Sequence, residues 1–117
     1  MPVRSLSSSV LKWPRSDVVT RATETWIRLL FAQGRVLRGG YFGSYARAEA
    51  GVGSDIDIVL VVAHDPDPFE RRSSRYDTTH LPVPADLLVY TKEEIDRLLH
   101  SGSRFGRTIR DETVWID

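Results

Sequence analysis

The feature that most constrains the fold is the apolar run IVLVV at residues 58–62, which directly follows Asp55-Ile56-Asp57. A short run rich in β-branched residues is typical of a buried strand, and we predict one over residues 55–63. Because side chains alternate between the two faces of a strand, Asp55 and Asp57 should project on the same side. Two carboxylates at the end of a buried strand repel each other, so the pattern predicts a partner that neutralises them.

The rest of the chain alternates predicted helices with predicted strands. A first helix is expected from a cap at Ser16 or Asp17 to about Gln33. Further strands are predicted over 35–42, 85–90 and 114–116, with helices over 69–76, after a Thr91/Glu94 capping box, and around Phe105 and Ile109. This order predicts an α/β (α+β) fold with a small mixed β-sheet flanked by helices. We expect an irregular N-terminal lead-in over 1–16 and one domain over 17–117.

Composition narrows the classes of partner. The chain has 117 residues with 16 basic and 16 acidic side chains, so no net charge attracts nucleic acid or an acidic membrane. It contains no cysteine, which excludes disulfides, thiolate zinc sites and a cysteine nucleophile. No run approaches the roughly 20 apolar residues of a membrane span, and the Ser-rich start lacks the apolar core of a secretory signal. We therefore expect a cytoplasmic protein without direct contact to nucleic acid or membrane.

A phosphate site is predicted next to the two aspartates. Gly43 lets the backbone approach a ligand closely, and Ser44 is expected to open a short helix through about Glu49, whose first N–H groups and hydroxyl can take phosphate oxygens. Arg47 can stabilise negative charge there, with a surface or packing role as an equal alternative. Arg71, Arg72 and Arg75 are interpreted as a solvated basic face, with contact to a partner as the alternative.

The carboxylates predict a metal site that completes this arrangement. Mg²⁺ prefers one or two carboxylates together with phosphate oxygens and water, which fits Asp55 and Asp57. Asp86 also stands at the head of an apolar strand, and it would reach the same metals if that strand lies beside the first. It could then orient or deprotonate an attacking hydroxyl, as in two-metal nucleotidyl transfer.

The spacing of Gly43-Ser44 and Asp55-Ile56-Asp57, GSx10DxD, resembles the signature of the DNA polymerase β-like nucleotidyltransferase superfamily. The text GSYARAEAGVGSDIDIVLV resembles its minimal nucleotidyltransferase (MNT) branch, and the resemblance covers roughly residues 17–116. It implies that Gly43 and Ser44 grip the triphosphate of ATP, that the spaced acids bind magnesium, and that Asp86 assists the acceptor hydroxyl. Ala48 replaces a glycine of many relatives; we expect little effect, because alanine is a good helix former.

A chain of this size resembles the antitoxin of bacterial MNT–HEPN toxin–antitoxin pairs. The resemblance implies transfer of AMP to a tyrosine of a HEPN-type ribonuclease toxin, in a hetero-oligomer with that partner. Two alternatives stay open. One is a small-molecule nucleotidyltransferase of the aminoglycoside-modifying kind, which the absence of a second domain disfavours. The other is a catalytically silent module that binds a toxin and keeps the same fold.

Overall fold

The structure is a computed structural model that describes residues 13–116. The predicted lead-in over 1–16 lies mostly outside the described residues. In chain order the elements are α1 Ser16–Ala32, β1 Arg38–Phe42, a first 3₁₀ turn Gly43–Tyr45, β2 Ile56–Val62, α2 Phe69–Arg72, a second 3₁₀ turn Ser73–Arg75, β3 Ala85–Thr91, α3 Lys92–Leu99, α4 Arg104–Glu112 and β4 Val114–Ile116.

The strands form one mixed sheet in the order β3-β2-β1-β4. Strand β1 pairs antiparallel with both β2 and β4, whereas β2 and β3 run parallel. The parallel pair requires a crossover, and the chain between the two strands carries α2 and the second 3₁₀ turn. The predicted mixed α/β architecture is confirmed.

Strand β2 contributes side chains to a core on each face of the sheet. Ile56, Ile58 and Leu60 join the cluster that contains Val19, Ile27 and Leu30 of α1. Val59 and Val61 join the opposite cluster, which contains Ile95 of α3 and Ile109 of α4. Because both faces are covered, the strand is apolar without interruption after Asp57, and this explains the run that the sequence shows.

The N-terminus of α1 differs from the prediction. Its N-cap is Arg15, which makes no capping hydrogen bond, so the predicted cap at Ser16 or Asp17 is wrong. Asp17 lies in the first turn instead and accepts a hydrogen bond from Arg21 at 2.8 Å. The helix ends before Gly34, whose φ of +71° suits glycine.

The predicted solvated face of three arginines is wrong for Arg72. This side chain is buried, and it donates to both carboxylate oxygens of Glu94, at 2.5 and 3.1 Å. Glu94 also completes the predicted capping box with Thr91, which is confirmed. Arg75 is paired with Asp65. The loop that precedes β3 is thereby anchored to α3 and to the end of β2.

Within residues 13–116 we find no helix that combines the length and the apolar character needed to cross a lipid bilayer.

Candidate functional site

The predicted acids meet at one edge of the sheet. Strands β2 and β3 both begin there, and Asp57 is the register partner of Asp86. The antiparallel β1 ends at the same edge, with Phe42 opposite Asp57 and Gly43 next in the chain. Asp55 stands one residue before β2 and is exposed. The fold therefore brings the ends of three strands together, and each carries at least one predicted site residue.

The alternation along the strands fixes which face these acids occupy. Ile56 and Ile58 point into the α1 side of the sheet, so Asp57 between them belongs to the α3 and α4 side. Its neighbours across the strands, Phe42 and Asp86, share that side, and Phe42 packs in the α3 and α4 cluster. The carboxylates of Asp57 and Asp86 consequently stand side by side just beyond this cluster.

Gly43 is required at its position for two reasons. Its φ of +75° lies in the left-handed region that favours glycine. In addition, a Cβ atom at this position would overlap Oδ2 of Asp57. The backbone of Gly43 thus packs directly against the carboxylate of the second aspartate, which leaves no room for a side chain between them.

The segment after Gly43 begins with a single 3₁₀ turn, Gly43–Tyr45, so the short helix predicted from Ser44 is present only in its first turn and its predicted extension to about Glu49 is wrong. The N–H groups of Ala46 and Arg47 both donate to the carbonyl of Gly43, at 3.0 Å each. Ser44 lies inside this turn, whose N-cap position is Phe42. The chain then reverses at Ala48, whose φ is +59°. The argument from helix propensity fails at Ala48, because a glycine would adopt this left-handed conformation with less strain.

The turn and the loop that follows it are tied to the body of the domain by Tyr45. Its ring is buried, and its hydroxyl donates to the carbonyl of Ser54 at 3.3 Å. The Ser54 hydroxyl in turn accepts a hydrogen bond from the N–H of Gly51 at 3.0 Å. These contacts hold the segment between the Gly-Ser pair and the two aspartates in one conformation.

The site carries an excess of negative charge. The pKa of Asp57 is raised, first by partial burial and then by the charges of Asp86 and Asp55, while Arg47 acts in the opposite direction. A bound cation would relieve this repulsion, and carboxylate oxygens are the donors that Mg²⁺ prefers. Among residues 13–116, however, no three carboxylate or histidine side chains are gathered into a ready-made metal site. The residues fit a divalent cation in donor chemistry and charge, without a preformed cage.

The guanidinium of Arg47 is bonded to two carboxylates. Its Nε donates to Glu49 at 2.9 Å and its NH1 donates to Glu112 at 3.1 Å. These bonds, the one to Glu49 first, raise the pKa of the guanidinium further above its usual range. The sequence reasoning missed Glu112, which stands 65 residues further along the chain and belongs to no recognisable motif.

The comparisons with known proteins agree with this geometry. The family described as "Nucleotidyltransferase domain" matches residues 28–116. A crystal structure of a protein from Sulfolobus solfataricus, provisionally named a nucleotidyltransferase, superimposes with a TM-score of 0.55 at 20% identity, covering 90% of this chain and 89% of that chain. At this identity the likeness shows the fold alone. No curated protein matches the chain significantly.

Proposed function

The chain belongs to the nucleotidyltransferase domain family, and from this we propose that it transfers AMP from ATP to a hydroxyl group with magnesium as cofactor. The main support is the placement of Asp57 beside Asp86 at the edge where Gly43 packs against Asp57. A Gly-Ser turn next to a pair of carboxylates suits a nucleotide that carries its triphosphate together with a divalent cation.

The residues take separate roles in this proposal. The Gly43–Tyr45 turn offers the N–H groups at its start and the Ser44 hydroxyl to phosphate oxygens. Asp55, Asp57 and Asp86 would hold Mg²⁺, which when bound neutralises charge on the phosphates. Asp86 accepts the proton of the acceptor hydroxyl. The acceptor oxygen forms a bond to the α-phosphorus, the bond from this phosphorus to the bridging oxygen of the β-phosphate breaks, and pyrophosphate leaves with that electron pair.

We further propose a tyrosine of a HEPN-type toxin protein as the acceptor, within a hetero-oligomer of the two chains. A phenolic hydroxyl has a pKa near 10, so it needs a base or a metal to become a good nucleophile at neutral pH. Asp86 and Asp55 are exposed, so a group supplied by another protein can reach them. The proposal includes a cytoplasmic location for the pair.

The test combines nucleotide binding with mass spectrometry. Titration calorimetry should show ATP binding that requires Mg²⁺ and that Asp57→Asn weakens. Incubation of the co-expressed pair with ATP and Mg²⁺ should add one AMP to the partner, and Asp86→Asn should slow this step by about 10²–10⁴-fold while the complex still forms. Undiminished transfer in Asp86→Asn would reject its role as base. Tight association without any AMP increment would favour a silent binding module. Transfer of AMP only to small molecules would mean that the acceptor is a small molecule and not a protein.

A further inference from the structure

Arg47 is held by two carboxylates that come from different parts of the chain. Glu49 follows it closely along the chain, whereas Glu112 is the last residue of α4. Strand β4, which begins two residues later, pairs Val114 with Tyr41 of β1, so the end of α4 reaches the same edge as Gly43. The pair therefore connects the C-terminal helix to the phosphate-binding turn.

The two bonds restrict the guanidinium and leave part of it available. A guanidinium carries five N–H donors in a rigid plane. Glu49 takes the Nε donor and Glu112 takes one from NH1, while NH2 makes no hydrogen bond within residues 13–116. Two fixed bonds in one plane also set the direction of the third nitrogen. The head group is thereby oriented before any ligand arrives.

Glu112 lies at the C-terminal end of α4, where a negative charge is electrostatically unfavourable. The C-terminal end of a helix carries partial negative charge, which disfavours an acidic side chain there. The Arg47–Glu112 pair is also partly open to solvent, with 44% and 35% of the side chains exposed, and ion pairs that solvent reaches contribute little to stability. Stability alone is thus a weak reason for placing a glutamate at this position.

We propose that Glu112 is a positioning residue for nucleotide binding, which together with Glu49 fixes the Arg47 guanidinium so that it binds an oxygen of the triphosphate. This inference rests on the proposed function and adds to it a residue of the C-terminal helix. The benefit is preorganisation: a long side chain that is already ordered loses less conformational freedom when it binds a phosphate. The glutamates also repel the phosphates at short range, so weaker binding in a variant without the charge of Glu112 requires that the gain from preorganisation be the larger effect.

The test measures the affinity of the whole chain for MgATP and for magnesium tripolyphosphate by calorimetry. Glu112→Gln should weaken both ligands by about 3- to 10-fold, with kcat of the transfer reaction unchanged and KM raised by the same factor. Glu93→Gln is the matched control, since Glu93 also forms an exposed ion pair, with Arg97 at 3.3 Å, on the neighbouring helix. It should leave both affinities unchanged.

A charge exchange separates positioning from structural support. In the double variant Arg47→Glu with Glu112→Arg, the ion pair can re-form and thermal stability should recover relative to Arg47→Glu alone. Phosphate affinity should not recover, because the cation now projects from α4. Recovery of affinity in the exchange variant, or unchanged or tighter binding in Glu112→Gln, would overturn the inference while leaving the proposed function intact. Failure of the unmodified chain to bind either ligand would overturn both.

Discussion

The ion pair between the buried Arg72 and the half-buried Glu94 should make the free energy of unfolding fall with pH over a defined acidic range. Arg72 is only 5% exposed, and besides its two bonds to Glu94 it donates to the carbonyls of Val89 and Asp67, at 3.2 and 2.9 Å. The hydrogen bond from Arg72, with help from Thr91, lowers the pKa of Glu94 from 4.5 to about 2. The carboxylate is therefore stabilised in its charged form by folding.

The size of the effect follows from this change in pKa. A shift from 4.5 to about 2 corresponds to at most about 3.4 kcal/mol at roughly 1.4 kcal/mol per pKa unit. Because the Glu94 side chain is 34% exposed, solvent screening reduces this, and we expect about 2 kcal/mol. The folded pKa is the lower one, so the contribution is complete above pH 4.5 and is lost as the pH falls toward 2.

Urea denaturation at pH 7 and pH 3 tests this reasoning with Glu94→Gln. At pH 7 the variant should lose about 3 kcal/mol, because a buried guanidinium is left without its counter-charge. Between pH 7 and pH 3 its free energy of unfolding should change less than that of the unmodified chain. Glu93→Gln is the control, since Glu93 lies in the same helical turn with 88% of its side chain exposed. A pH dependence as steep in Glu94→Gln as in the unmodified chain would refute the argument.

Three further variants test the site and its turn. Ala48→Gly should stabilise the domain by about 1 kcal/mol in urea denaturation, because the left-handed backbone strains alanine; Ala46→Gly, at a φ of −73°, should have the opposite sign. Gly43→Ala should lower the melting temperature and abolish ATP binding in calorimetry, because its Cβ overlaps the Asp57 carboxylate. Asp57→Asn should raise the melting temperature of the metal-free protein, because it removes a charge whose pKa is raised by burial and by neighbouring acids, while Mg²⁺-dependent ATP binding falls. A melting temperature of Asp57→Asn that falls by the same amount with and without ATP would contradict this expectation.

Local patterns predicted the parts of the structure that local forces decide. The apolar run after Asp57 became β2, and the Thr91/Glu94 pair became a capping box, because burial and capping act within a few residues. The juxtaposition of Asp57 and Asp86 was predicted only on the condition that their strands are neighbours, and the parallel register fulfils it. In the first two cases the interaction lies within a short segment of the sequence, whereas the third depends on which strands are neighbours.

The errors concern residues whose state depends on distant contacts. Arg72 looked like part of a solvated face because its partner, Glu94, lies 22 residues away. The sequence predicts a helix from Ser44 to about Glu49, yet the bond from Tyr45 to Ser54 and the contact of Gly43 with Asp57 hold this segment in a tight turn. Tertiary contacts outweigh helix propensity here, since a propensity difference is below about 1 kcal/mol per residue.

The candidate site itself combines residues that are close in the sequence with one that is distant. Gly43 and Asp57 belong to one recognisable motif, and their contact depends only on β1 pairing with β2. Arg47 lies in the same stretch, but its orientation depends on Glu112, which lies two residues before β4, the strand that pairs with β1. The carboxylates of Asp57 and Asp86 are thus placed by strands of the sheet, whereas the Arg47 guanidinium is also held by the helix that ends at Glu112. Glu112→Ala should therefore lower the affinity for magnesium tripolyphosphate in calorimetry although the Gly-Ser pair and the aspartates are unchanged, because it removes the partner that holds Arg47.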